Sequence, residues 1–370
     1  MTGTRQKCAR AYWSLRSAHL ERAQELPDAA IIYGKANYDF DESLAVDLEL
    51  LHAPSASSVA QVVRASRELE ILEVNEPLGL DSLPWTLAAL TAARVSARLQ
   101  DRRVRVVSYA IENRDPFEEA TASTTKARVR KVLERMSSRH LVKHIDRIAF
   151  GTDGSAATYR RRFANDLPDE TTVIPALPTT CSCLTSPQQS GQQLIFVGAL
   201  TTRKGFDVLL RCWPAIATEL PNATLVIIGK GVLEPEAATL AAADPRVRLL
   251  IDPPREAIHE QLRFSNTLIL MSQRTNRWRE QVGLPIVEAL AHGVQVVTTT
   301  ETGLADWLSE HGHQTLAPDS TDTEVIAAVV RSLQAAPASD EVLASLPLID
   351  GRLAADEWLF TSSGLPTQPR

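Results

Sequence analysis

Glu280-Gln281-Val282-Gly283-Leu284-Pro285-Ile286-Val287-Glu288 sets two carboxylates eight positions apart around a Gly-Leu-Pro break, between two segments that read as buried strands. Pro285 has no N–H, and its φ is preset for the first turn of a helix, so Gly283-Leu284-Pro285 reads as a loop feeding a helix N-terminus. The backbone N–H groups of Gly283 and Leu284 point outward at such a start, where an anion or polar ligand can meet them. The expectation is that Glu288 lies in the first turn of that helix and Glu280 in the loop before it, both facing one cleft. The bland alternative for Glu288 is a helix-start carboxylate favoured only by the macrodipole, worth about 0.3–1 kcal/mol. For Glu280 it is an exposed loop acid.

Outward from this segment, short apolar runs alternate with amphipathic stretches at the spacing of βα units on a parallel sheet. Residues 194–198, 224–229, 247–251, 267–271 and 294–298 read as buried strands, because Val, Ile and Leu run on without alternation. Helices are expected at 206–220 (kinked or broken at Pro214), 235–242, 255–263, 285–292, 304–310 and 323–333. Gly198 and Gly229 close strands where the chain turns toward a helix, and open α/β sheets place ligands at such carboxyl ends. Upstream, strands are expected at 45–51, 69–74, 104–108 and 145–150, with helices at 59–66 and 85–99. Residues 13–25 read as helical and 29–33 as a short strand. A Pro-, Thr-, Ser- and Gln-rich stretch lies between the halves. The division expected is 1–178, a linker at 179–191, 192–345, and 346–370 as a returning helix with a frayed tail from residue 361.

With 370 residues, 44% of them apolar, the chain can bury a large core, and its length favours two domains. A net charge of −6 argues against a whole surface made for nucleic acid. Cys8, Cys181, Cys183 and Cys212 show no metal-ligand spacing, since Cys181-Ser182-Cys183 is closer than the usual Cys-x-x-Cys. That usage fits a reducing cytoplasm. No apolar run reaches the roughly 20 residues that span a bilayer, and no signal-peptide pattern opens the chain. Residues 126–147 are strongly basic, and Val129, Val132, Leu133 and Met136 form one helical apolar stripe beside that charge. Two readings stay open: docking on an anionic membrane surface, or a core helix with a solvated basic side.

Four motifs recur in order: Phe196-Val197-Gly198, Arg203-Lys204-Gly205-Phe206-Asp207, Leu225-Val226-Ile227-Ile228-Gly229, and Glu280 through Ala291. Together they closely resemble the donor domain of family 4 retaining glycosyltransferases, the group 1 glycosyl transferase donor domain. The likeness is dense over residues 194–318 and weaker in the first half, where residues 73–77 and 106–116 are similar to the family's acceptor domain. Three departures stand out. No glycine-rich loop follows the first strand, Ala199 stands where an Arg is frequent, and Glu112-Asn113 stands where many members carry His.

The resemblance implies a GT-B fold, two Rossmann-like domains with a cleft between them. It implies transfer of a sugar from a UDP or GDP sugar to a hydroxyl acceptor, in cell-surface polysaccharide or glycolipid synthesis, by a cytoplasmic protein, with a peripheral position at the inner face of the membrane as one option. Glu280 would lie beside the donor sugar, and Glu288 would accept hydrogen bonds from the ribose. Arg203 and Lys204 would neutralise the diphosphate, with Arg203 also covering for Ala199. Gly198, Gly229, Gly283, Leu284, Pro285 and Gly303 would line the donor, and Glu112 and Asn113 the acceptor. No Asp-x-Asp motif stands at a strand end, so no essential divalent ion or other cofactor is expected, and the nucleotide sugar is substrate. Two alternatives remain: a GT-B epimerase or phosphorylase, and a non-catalytic nucleotide-sugar-binding subunit.

Overall fold

The computed structural model describes all residues except 1–2, 38–39, 118–123, 185–190, 276–277, 336–338 and 362–370. Part of the expected linker, and the expected tail beyond Thr361, therefore lie outside the described residues. The chain divides into two compact units, residues 1–175 with 352–370, and residues 176–351.

The first unit contains β1 (Cys8–Leu15), α1 (Ser17–Ala23), β2 (Ala30–Ala36), β3 (Leu50–His52), α2 (Ala56–Ala65), β4 (Ile71–Glu73), α3 (Leu83–Leu99), β5 (Arg105–Ala110), α4 (Thr125–Lys143), β6 (Arg147–Phe150), α5 (Asp153–Phe163) and β7 (Glu170–Val173). Its seven strands are all parallel, in the order β3-β2-β1-β4-β5-β6-β7. Sequence order reverses between β1 and β4, the crevice where doubly wound sheets leave room for a ligand.

Three expectations for this unit are corrected. The helix expected at 13–25 is instead the end of strand β1 followed by the short helix α1. Ala9, Ala11 and Leu15 of β1 are buried between β2 and β4, and this tertiary pairing overrides a helical-looking local pattern. The strand expected at 45–51 survives only as β3, because a 3-10 turn occupies Glu42–Ala45 and Asp47 sits at φ +67°. A third difference lies at β5, which runs on to Ala110 rather than stopping at Ser108.

Tying the unit together is α13 (Gly351–Phe360), reached only after the whole second unit. Its Asp356 accepts from Arg10 Nη2 of β1 at 2.9 and 3.0 Å, and its Arg352 donates to both Glu73 oxygens of β4 at 2.6 and 2.8 Å. All four side chains are buried. Arg147 of β6 donates to the carbonyl of Trp358 at 2.9 Å, and Ala355, Trp358 and Leu359 pack on Val107 and Ala149.

The second unit contains β8 (Gln193–Val197), α6 (Phe206–Glu219), β9 (Thr224–Ile228), α7 (Glu234–Ala243), β10 (Val247–Leu250), α8 (Arg255–Phe264), β11 (Thr267–Leu270), α9 (Leu284–Ala291), β12 (Gln295–Thr299), α10 (Ala305–Glu310), β13 (Gln314–Leu316), α11 (Asp322–Gln334) and α12 (Ser339–Ala344). Its six strands are parallel, in the order β10-β9-β8-β11-β12-β13, with the reversal between β8 and β11. Strands β9, β11 and β12 are buried apart from Thr224 at the start of β9, which is why they read as apolar runs. Helix α6 continues through Pro214 instead of breaking there. Pro214 lies on the exposed side while Leu209, Cys212, Trp213, Ile216 and Ala217 hold the other side in the core, so the lost hydrogen bond is outweighed by burial.

Candidate functional site

The site grows from the carboxyl ends of β8 and β11, at the reversal of strand order. After β8 the chain makes a 3-10 turn over Thr202–Lys204, and Gly205 then adopts φ +70° to start α6. A side chain could not replace that glycine, because a Cβ would stand 2.1 Å from the carbonyl oxygen of Met271, just past β11. The same approach is fixed by Gln273 N–H donating to the Arg203 carbonyl at 2.8 Å. Backbone contact thus carries Arg203 and Lys204 onto the loop that leaves β11.

Lys204 there forms an ion pair with Glu280. The Glu280 carboxylate also accepts from Ser272 Oγ at 2.8 Å and is buried, with 7% of its surface exposed. Trp278 lies beneath both cations, its ring centroid 4.2 Å from the Arg203 guanidinium carbon and 5.1 Å from Lys204 Nζ. A buried carboxylate, two cations and an indole are therefore gathered on one edge of the sheet.

The Gly-Leu-Pro break behaves as its sequence implies. Gly283, at φ +85°, is the N-cap of α9, no side chain caps that helix, and Pro285 sits in its first turn. The Gly283 carbonyl accepts from Ile286 and Val287 N–H groups at 2.9 and 3.1 Å, while Leu284 is exposed. Glu280 Cγ is 3.5 Å from where a Gly283 Cβ would be, which places the acid beside the helix start. One expectation is corrected here. Glu288 is not in the first turn of α9 but a turn further in, because the helix already begins at Leu284. Its carboxylate is 3.9 Å from Arg255 Nη2 at the start of α8.

The remaining second-unit candidates fall on the same edge. Gly198 and Gly229 end β8 and β9 at φ +144° and +149°, and a Cβ on Gly229 would lie 1.8 Å from the Gly198 carbonyl oxygen. Gly303 N–H donates to the Gln281 carbonyl at 2.7 Å, and Thr302 Oγ1 to the Val282 carbonyl at 2.9 Å, so the turn after β12 braces the loop that holds Glu280. Glu112 and Asn113 belong to the first unit, just past β5. Glu112 N–H donates to Glu76 at 2.9 Å, and the buried Asn113 accepts at its carbonyl from Thr158 at 3.1 Å.

Sequence reasoning missed Ser272, Trp278, and the Arg279–Glu301 ion pair of 2.7 Å that ties the same loop to the turn after β12. Ser272 was signalled by its place directly after a buried strand; Trp278 and Glu301 had no local signal. The cysteines acquire neighbours that their spacing does not reveal. Cys181-Ser182-Cys183 lacks a metal-ligand spacing by itself, yet folding sets it beside His259 and His292.

Residues 191–335 match the family model described as glycosyl transferases group 1. The matched span takes in β8 to α11, and so every second-unit residue of the site. Among curated proteins, the glycogen synthase of Nitrosomonas europaea is 33% identical over 127 residues, 34% of this chain and only 23% of that enzyme's length. Solved structures match nearly end to end. A lipopolysaccharide outer core galactosyltransferase, WaaB, in its apo form, superposes with a TM-score of 0.66 at 12% identity, covering 96% of this chain and 99% of that one. Anabaena HepE in complex with UDP gives a TM-score of 0.65 at 14% identity, covering 96% of each chain. The apo structure of OtsA gives 0.56 at 13% identity, covering 96% of this chain and 97% of OtsA. The fold is GT-B, with one Rossmann-like sheet in each unit.

Proposed function

We propose that this chain is a retaining glycosyltransferase that moves a hexose from a UDP or GDP sugar to a hydroxyl acceptor. The observation that carries the reading is the Lys204–Glu280 pair with Arg203 over Trp278, set beside the uncapped start of α9 inside the group 1 match. The fixed N–H dipoles at the head of α9 and the two cations supply the positive field that a leaving diphosphate requires. Glu280, held by Ser272 and Lys204, is positioned to orient the sugar. Anabaena HepE is described with UDP, with UDP and glucose, and with UDP-glucose, which supports a uridine nucleotide sugar as the first donor to test.

A front-face route fits this set of groups. The bond from the anomeric carbon to the diphosphate oxygen breaks, and the bond to the acceptor oxygen forms on the same face. The acceptor proton passes to the departing phosphate, whose charge Arg203 and Lys204 stabilise. This route needs no carboxylate nucleophile, which suits a Glu280 already engaged by Lys204 and Ser272. Glu112 and Asn113 are the acceptor-side groups in this reading.

The acceptor would be glycan- or lipid-linked, with the protein working at a cytoplasmic membrane face. Support comes from α4, where Val129, Val132, Leu133 and Met136 remain 54–64% exposed while only Ser138, Leu141 and Val142 are buried. Arg139 and Lys143 of that helix pair with Asp166. No described helix is long and apolar enough to cross a membrane. Co-sedimentation with vesicles should rise with anionic lipid content, and binding indifferent to lipid charge would remove this part of the reading.

The decisive experiment is a thermal-shift screen of UDP and GDP sugars, followed by transfer assays with NMR assignment of the product's anomeric configuration. Stabilisation by a nucleotide sugar and retention in the product are expected. Stabilisation without transfer to any acceptor would favour a binding subunit, and inversion would exclude the route above.

A further inference from the structure

Cys181, Cys183, His259 and His292 converge in the second unit, with His292 at the opposite end of α9 from the start beside which Glu280 lies, and the fold brings them there from three separate segments. Cys181 and Cys183 precede β8, His259 is on α8, and His292 is the C-cap of α9. We infer that these four side chains form a tetrahedral zinc site that clamps the segment before β8 onto α8 and α9.

The distances carry the assignment. Cys181 Sγ and Cys183 Sγ lie 3.4 and 3.7 Å from His259 Nδ1, Cys183 Sγ lies 3.2 Å from His292 Nε2, and the two imidazole nitrogens are 3.2 Å apart. A tetrahedral ion with Zn–S of about 2.3 Å and Zn–N of about 2.0–2.1 Å requires S–N separations of about 3.6 Å and an N–N separation of about 3.3 Å. Those four edges therefore already have the size of a zinc polyhedron. The Sγ–Sγ edge, 2.8 Å, is shorter than the roughly 3.8 Å that a bound ion would set, so the thiols must part on loading.

The surroundings are those of a ligand set. His292 Nδ1 is 2.6 Å from the Glu288 carbonyl, which can only accept, so the ring's proton is on Nδ1 and the lone pair is on Nε2, facing the thiols. That is the arrangement by which a backbone carbonyl fixes the tautomer of a metal-bound imidazole. Cys181 N–H donates to the Ala291 carbonyl at 2.8 Å, pinning the Cys-Ser-Cys segment to the end of α9 before any ion arrives. Two thiolates with two imidazoles select a soft or borderline ion, zinc above magnesium or calcium, and four protein ligands leave no position for a substrate. The site is structural. Its loading does not depend on the glycosyl transfer reading.

The test uses the full chain purified without chelator. Metal analysis should return one zinc per chain, and Cys183→Ser and His292→Ala should each lower that stoichiometry several-fold. Because a variant can fail to fold, a second measurement uses the unaltered chain: cobalt added after zinc removal should give the absorption of a tetrahedral thiolate–cobalt centre, bleached by one equivalent of zinc. Two results would overturn the assignment. One is a folded chain that takes up neither ion while Cys181 and Cys183 react as free thiols. The other is a mass two daltons low with Cys181 and Cys183 unreactive, which would mean that the close pair is a disulfide instead.

Discussion

Lys204 and Glu280, separated by 76 positions, are joined in an ion pair whose carboxylate is also held by Ser272 Oγ at 2.8 Å. The lysine comes from the turn after β8 and the acid from the loop between β11 and α9, so the pair closes the reversal point of the second sheet. On the proposed reading a nucleotide diphosphate would contact the lysine, and its sugar would lie beside the acid. The two residues accordingly report on different steps.

Glu280→Gln should keep nucleotide-sugar affinity and lower the transfer rate about 100-fold, the scale for losing one oriented polar group at a developing charge. Lys204→Ala should instead raise the dissociation constant for the nucleotide about tenfold, equivalent to about 1.4 kcal/mol. Calorimetric titration with single-turnover kinetics separates the two. Near-normal turnover in Glu280→Gln would remove the acid from the mechanism.

The turn that presents these cations depends on Gly205. At φ +70°, with the Met271 carbonyl oxygen 2.1 Å from the Cβ position, Gly205→Ala must move backbone. Gly312 is the control, since it has φ +78° but open space around its Cβ position. Gly312→Ala should cost about 1–2 kcal/mol from the left-handed conformation alone. Gly205→Ala should cost more and weaken nucleotide binding as well. Denaturant midpoints and nucleotide titrations of both variants check this, and equal losses would show that the close approach to Met271 does not matter.

Strands β9, β11 and β12 of the second sheet were legible because they are almost wholly buried and show as apolar runs, whereas β13, whose three residues are only half-buried, was not. The pairing of Lys204 with Glu280 was legible only as two charged motifs on one edge; that they touch depends on Gly205 meeting Met271, which no local pattern encodes. β1 was illegible for a different reason. Arg10 stands in a central strand, which contradicts a core pattern until its partners Glu73 and Asp356 are known, the latter 346 positions away. The surroundings of the Cys-Ser-Cys segment were illegible on the same grounds, since its histidine neighbours lie 76 or more positions distant.

The Arg10–Asp356 pair should dominate the stability of the first unit. Both side chains are buried, and Asp356→Ala leaves the guanidinium without its closest acid, a loss of about 3–5 kcal/mol for a broken buried pair. The double replacement Arg10→Met with Asp356→Leu should recover much of that loss, because no uncompensated charge remains. Denaturation of the two variants decides it. A double variant no better than the single would mean that the pair contributes more than its own neutralisation.

Glu76 gives the first unit a pH dependence of unusual sign. Burial, and then the neighbouring Glu112 carboxylate, push its acid up to about 8, while hydrogen bonds from the Glu112 and Ile111 N–H groups and Tyr159 act the other way. A carboxyl with a raised folded pKa keeps its proton in the folded chain where the unfolded chain has released it. Its contribution is therefore complete below the unfolded value of 4.5 and is lost as pH rises through about 8. The slope can reach about 1.4 kcal/mol per pH unit, and less here because Glu76 is only half-buried. Glu76→Gln still accepts from Tyr159 but cannot ionise. Subtracting its unfolding free energy from that of the unaltered chain between pH 5 and 8 should leave a difference that moves against the unaltered chain as pH rises. Parallel curves would show that Glu76 is ionised across that range.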